Sequence, residues 1–103
     1  MTVRTVIDNT NQNATAANLI ALGKEDGAYL FEVFDRYFTA GKWDVSLMVS
    51  VFDGWAKVEV LGSENRLLAA GVTADEVSIW REACVSELNS KLKARGDLKA
   101  RIL

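Results

Sequence analysis

The stretch from Trp43 to Leu61, WDVSLMVSVFDGWAKVEVL, constrains the fold more than any other part of this chain. Asp53-Gly54 stands between two runs rich in valine and aromatic residues. An Asp-Gly pair suits both positive-φ positions of a tight two-residue turn. In the register this turn implies, Phe52 faces Trp55, Val51 faces Ala56, Val49 faces Val58 and Leu47 faces Val60. Side chains alternate faces along a strand. Val45, Leu47, Val49 and Val51 then share a wholly apolar face with Ala56, Val58 and Val60. The other face carries Ser46, Met48, Ser50 and Phe52 beside Trp55, Lys57, Glu59 and Leu61. A slip of one residue destroys this agreement, so turn chemistry and hydrophobic pattern together predict a hairpin over 43–61. The competing reading is an amphipathic helix through Trp43, Leu47 and Val51. Gly54 and the β-branched valines argue against it.

The other elements are read around that hairpin. Residues 2–7, TVRTVI, read as a third short strand. Asn13 is a candidate N-cap for a short helix ending at Leu22, with Gly23 just beyond. Leu30, Phe34, Tyr37 and Phe38 fall at helical spacing, and Glu32 and Arg36 form an i,i+4 pair, which favours a helix over 28–38, while the aromatic content of the segment also suits a strand. A further short helix, ENRLLAA, follows Ser63 and closes at Gly71. The strongest helix start is Val72-Thr73-Ala74-Asp75-Glu76-Val77. Thr73 is the N-cap, Glu76 completes a capping box, and Val72 and Val77 sit where a hydrophobic staple needs them. Val77, Trp80, Cys84, Leu88 and Leu92 continue one apolar face, and Gly96 marks the stop. In this segmentation all seven glycines (23, 27, 41, 54, 62, 71 and 96) fall at element boundaries.

The expected fold is therefore a small α+β domain of order β-α-α-β-β-α-α. A small antiparallel sheet packs against about four helices, and residues 1–103 form one domain. Half the residues are apolar and a quarter charged, which is a globular composition. No apolar run is long enough to span a bilayer, and the first residues lack the apolar core of a signal peptide. A cytoplasmic protein with no membrane partner is the expectation.

The residue types present narrow the chemistry. There is one cysteine, Cys84, and no histidine, which removes the commonest general base and metal ligand. Asp35, Asp44, Asp53 and Glu59 have no metal-loop spacing, and no phosphate-binding glycine loop or nucleophile elbow occurs. Cys84 shares a face with Trp80 and Leu88 and reads as a buried thiol. No catalytic residue, cofactor or metal is expected.

Charge is uneven. Residues 89–103 hold Lys91, Lys93, Arg95, Lys99 and Arg101 against Asp97, a surplus of four, which leaves the rest of the chain at about −6 from a total of −2. Lys91, Lys93, Arg95 and Lys99 are the candidate contacts to a nucleic acid or an acidic partner. No aromatic residue interleaves them as single-strand stacking requires.

One string resembles a known motif. Gly71-Val72-Thr73, followed by Val77, Ser78 and Trp80, resembles the turn and recognition helix of repressor-type helix-turn-helix proteins. The resemblance spans residues 64–81 and implies that Thr73, Ala74, Asp75, Ser78 and Ile79 face a DNA groove. Asp75 and Glu76 depart from that pattern, because phosphates repel them, and no basic residue precedes Arg81 in the second helix to read guanine.

The favoured function is a non-enzymatic protein-binding module, such as an inhibitor, immunity-type or adaptor protein. It would bind another protein or itself through the apolar outer face of the hairpin, with Met48, Phe52, Trp55, Lys57 and Leu61 as the contact residues. A DNA-binding regulator using 64–81 is the alternative.

Overall fold

The computed structural model describes residues 15–40 and 44–95. They form three helices: α1 over Ala16–Ala40, α2 over Val45–Ala69 and α3 over Ala74–Arg95. Among the described residues there is no strand. The α+β expectation is overturned, and the hairpin with it: residues 45–61 are part of one 25-residue helix. The strand expected at 2–7 lies outside the described residues.

The helix wins at 45–69 because of what it buries. Met48, Phe52, Ala56, Val60 and Leu67 recur at i,i+4 and i,i+7 and are all buried against α1 and α3. Each large side chain removed from water contributes about 1.5–3 kcal/mol. A mid-helix glycine costs only about 1 kcal/mol, so Gly54 and Gly62 together are outweighed. Asp53, expected in a turn, instead pairs with Lys57 one turn on, at 2.9 Å. A Cβ added at Gly62 would meet nothing within 4 Å. We expect Gly62→Ala to raise stability by about 0.5–1 kcal/mol. The check is a higher urea midpoint at unchanged slope; a lower midpoint would contradict the helix at this position.

The chain runs up, down and up. Along α1 and α3 the contacts ascend together, from Gly23 beside Trp80 to Asp35 beside Arg95, so these two helices are parallel. Phe34 meets Phe52 edge-on at 4.8 Å between ring centres, and Glu64 meets Arg81 at 3.2 Å, so α2 runs antiparallel to both. The helical reading of 28–38 holds, since these residues lie within α1. The breaks placed at Gly23 and Gly27 do not exist. Both glycines sit inside α1 where α3 passes closest. A Cβ at Gly23 would lie 2.5 Å from the Trp80 carbonyl oxygen and 2.7 Å from the Ala83 Cβ, and one at Gly27 would run into the Cys84 carbonyl oxygen. They mark a backbone-to-backbone contact, which in sequence looks the same as a helix end.

The helix ends are built by local chemistry. Thr15 caps α1, its Oγ1 accepting from Asn18 N–H at 3.2 Å; Asn13, the expected cap, lies outside the described residues. Asp44 caps α2 by accepting from Leu47 N–H at 3.3 Å. The capping box of α3 is present: Glu76 N–H donates to Thr73 Oγ1 at 3.2 Å, and Thr73 N–H donates to Glu76 Oε1 at 3.0 Å. Between α2 and α3, Gly71 adopts φ 96°, its N–H donates to Leu68 and the Val72 N–H donates to Leu67. This is a Schellman closure, and its left-handed residue is a glycine. Val72 and Val77 are both buried on either side of the cap.

Candidate functional site

Two features outside routine packing stand out. One is a cleft between the helices, the other is the outer face of α2.

The cleft is lined by Asp26, Tyr29, Leu30, Glu59, Val60, Ser63, Trp80 and Cys84, opens to solvent and has a free volume of about 20 Å³. That is room for about one water molecule, far below the volume of a ligand pocket. Asp26 and Ser63 are its buried polar residues. Trp80 Nε1 donates to Asp26 Oδ2 at 2.8 Å, a bond between α1 and α3. Among the described residues no buried side-chain nitrogen or oxygen lacks a partner, so no polar group in the cleft is left asking for a ligand. Burial, with the negative charges of Asp26 and Glu64 and against the Arg81 cation, pushes the Cys84 thiol up to about 12. At neutral pH it is a protonated, inert group, as its position beside Trp80 and Leu88 implies.

The outer face of α2 is different. Leu47, Val51, Gly54, Val58, Leu61, Asn65 and Leu68 follow one another at steps of 4, 3, 4, 3, 4 and 3 residues. A 3.5-residue repeat keeps one stripe in line along a supercoiled helix. This stripe lies opposite the buried one. Leu47 and Val51 are each 49 % exposed, Val58 68 %, Leu61 57 % and Leu68 46 %. Gly54 and Asn65, which complete the pattern, are exposed too. α2 is thus apolar on both sides, one side covered by α1 and α3 and the other bare. Lys57 and Glu64 flank the stripe, Lys57 exposed and Glu64 partly covered by its pairing with Arg81.

The predicted site residues divide accordingly. Met48 and Phe52 are buried in the core, and Trp55 packs partly against it, its ring 5.6 Å from that of Phe52. Lys57 and Leu61 are exposed on the far side of the helix. The five do not form one surface, and with no hairpin among the described residues the binding mode built on its outer face falls. The faces are largely exchanged: Leu47, Val51 and Val58, assigned to the inside, are outside, while Met48 and Phe52, assigned to the outside, are inside. The helix-turn-helix reading falls as well. Residues 64–69 are the last turns of the long α2 rather than a separate short helix, and Glu64 is tied across to α3 through Arg81. Of the basic group, Lys91 pairs with Glu87 at 3.7 Å, and Arg95 Nε donates to Asp35 Oδ1 at 2.8 Å. Lys93 is exposed, and Lys99 and Arg101 lie outside the described residues.

Sequence reasoning missed Leu47, Val51, Val58, Asn65 and Leu68 as surface residues. The signal was their alternating 3- and 4-residue spacing with Gly54 and Leu61. No helix among the described residues is long and apolar enough to cross a membrane. No protein-family model, curated protein or solved structure matches this chain.

Proposed function

We propose that this protein is a non-catalytic assembly module that associates with a second copy of itself through the outer stripe of α2. The observation that carries this reading is the run of five large apolar side chains, each about half bare or more, on a 3.5-residue repeat along one helix. Scattered exposed apolar residues need no explanation, but a contiguous stripe of roughly 400–500 Å² is at the size that marks an interaction surface. Two copies joined there remove on the order of 900 Å² of apolar area from water, before the flanking polar groups are counted. A specific interface starts at about 1,000–1,200 Å². The residue types support a helix-to-helix seam: Val51, Val58 and Asn65 repeat every seven residues in one column, Leu47, Gly54, Leu61 and Leu68 in the other, and Asn65 is the one polar side chain in the run. A single polar residue in such a seam costs stability and restricts register.

The expected result is a dimer by sedimentation velocity in the micromolar range. Val58→Glu and Leu61→Glu should each give a monomer with unchanged helicity, because neither side chain contributes to the core. Each substitution acts twice in a symmetric pair. The expected loss is at least about 100-fold in affinity, from about 1.5–3 kcal/mol per buried side chain. A wild-type protein that stays monomeric, or a Val58→Glu dimer of parental affinity, overturns the reading.

A further inference from the structure

We infer that the two copies of α2 pair antiparallel, about a two-fold axis between residues 59 and 60, with Gly54 of each copy receiving Asn65 of the other. This rests on the assembly reading above and specifies its geometry.

The stripe from Val51 to Leu68 has steps of 3, 4, 3, 4 and 3 residues. That series is the same read backwards, so a helix laid against its own reversed copy brings every stripe position from Val51 to Leu68 opposite another, with Leu47 beyond the paired span. Val51 meets Leu68 of the second copy, Gly54 meets Asn65 and Val58 meets Leu61, and the two-fold repeats each pair. A C2 interface requires this kind of self-complementarity. The sizes agree with it. The residue with no side chain faces the one polar side chain in the stripe, and each valine faces a longer leucine. A Cβ at Gly54 would meet nothing within 4 Å in its own chain, so the gap there is open to the second copy. The parallel alternative stacks Gly54 on Gly54 and Asn65 on Asn65, leaving a void at one layer and crowding two amides at another.

Charge selects the same arrangement. Lys57 precedes Val58 and Glu64 precedes Asn65, each on the same edge of the stripe. In the antiparallel register Lys57 lies beside Glu64 of the second copy, twice. Sliding one copy by seven residues either way sets Lys57 against Lys57 or Glu64 against Glu64. In the parallel arrangement Lys57 comes beside Gly62 and Glu64 beside Ala69, and no opposite charges meet. Exposed pairs of this kind add little affinity, but like charges held together reject a register. Lys57 now bridges Asp53, and Glu64 bridges Arg81, so in the dimer the cross-pairs join two existing ion pairs into one network.

Disulfide capture tests the geometry. The sole native cysteine, Cys84, is buried and does not compete. Gly54→Cys and Asn65→Cys proteins are prepared separately, mixed and oxidised gently. In the antiparallel pair, residue 54 of one copy lies opposite 65 of the other, while 54 and 54 are 11 residues apart along the axis, about 16 Å. Disulfides need Cα atoms within about 7 Å. The expected result is a crosslink in the mixture at least ten-fold faster than in either protein alone. Crosslinks within each protein alone, with none gained on mixing, make the pair parallel and overturn this inference while the assembly reading stands. Absence of dimer in wild-type sedimentation removes both and hands the stripe to another part of this chain or to an unrelated protein. A second variant guards against cysteines that perturb the seam. Lys57→Glu should weaken wild-type association about ten-fold at low salt, with the loss shrinking as salt screens it. Unchanged affinity overturns the register.

Discussion

Gly27→Ala is expected to cost about 3 kcal/mol of stability, at the top of the range for overpacking a core. In a domain of this size that corresponds to a fall of roughly 12–24 °C in melting temperature. In an exposed helix the same change stabilises, because alanine is the better helix former by about 1 kcal/mol. Here the added methyl would run into the Cys84 carbonyl oxygen and lie 2.9 Å from the Glu87 Cβ. The first obstacle is main chain and cannot swing aside, so relief requires α1 and α3 to separate. Gly23→Ala meets the Trp80 carbonyl oxygen one turn earlier, and the double variant should not fold at 37 °C. Thermal unfolding followed by circular dichroism checks this, with Gly62→Ala as the control of opposite sign. If Gly27→Ala melts at or above the parent, the close approach of α1 and α3 is wrong.

The second large effect is at Trp80, the largest of the fully buried side chains, 1 % exposed. Trp80→Ala should cost about 3–5 kcal/mol through lost burial and a cavity between α1 and α3. Trp80→Phe separates two contributions. It keeps most of the apolar volume but removes the indole donor that reaches Asp26 Oδ2 at 2.8 Å. A buried carboxylate deprived of a donor pays its desolvation, so about 1–3 kcal/mol should be lost by this change alone. Combining Trp80→Phe with Asp26→Leu should restore part of it, because the charge that needed the bond is gone. Chemical denaturation of the set measures both terms. A Trp80→Phe protein as stable as the parent would show that the buried bond adds nothing, and would leave Asp26 as a passive guest of the core.

Asp26 between two packing glycines explains how α1 and α3 find one alignment. The glycines permit close approach at several offsets, but only one offset sets the Trp80 indole against the carboxylate. A buried polar pair acting as a register device is well attested in helical assemblies.

Legibility in the sequence followed the range of the interactions. The α3 start was readable because Thr73, Glu76, Val72 and Val77 lie within six residues and their chemistry is closed among themselves. Gly71 as a helix stop was readable for the same reason. The helix over 28–38 was readable from its 3.6-residue spacing. The apolar face of α3 was readable too, and Val77, Trp80, Cys84, Leu88 and Leu92 are all buried.

The misreading at 43–61 has a specific cause. A helix that is apolar on two opposite sides places apolar residues at 47, 48, 49, 51 and 52, then at 55, 56, 58, 60 and 61. Over a short window this imitates the alternation of a strand. With five valines and an Asp-Gly in the middle, every local preference agreed on a hairpin. None of those preferences exceeds about 1 kcal/mol, whereas the inner stripe of α2 buries several times that.

The sequence by itself determined the capping box of α3, the stop at Gly71, the inward face of α3 and the absence of histidine and of disulfide partners within the chain. Each is a property of neighbouring residues or of composition. Only the tertiary structure decided which side of α2 is core, that Gly23 and Gly27 are points of contact rather than ends, and that Asp26 belongs to Trp80. Those depend on residues far apart in the chain, Asp26 and Trp80 being 54 positions apart. The outer stripe of α2 lies between the two cases. Its 3.5-residue spacing was always written in the chain, but the bare side could be recognised only once α1 and α3 had taken the other.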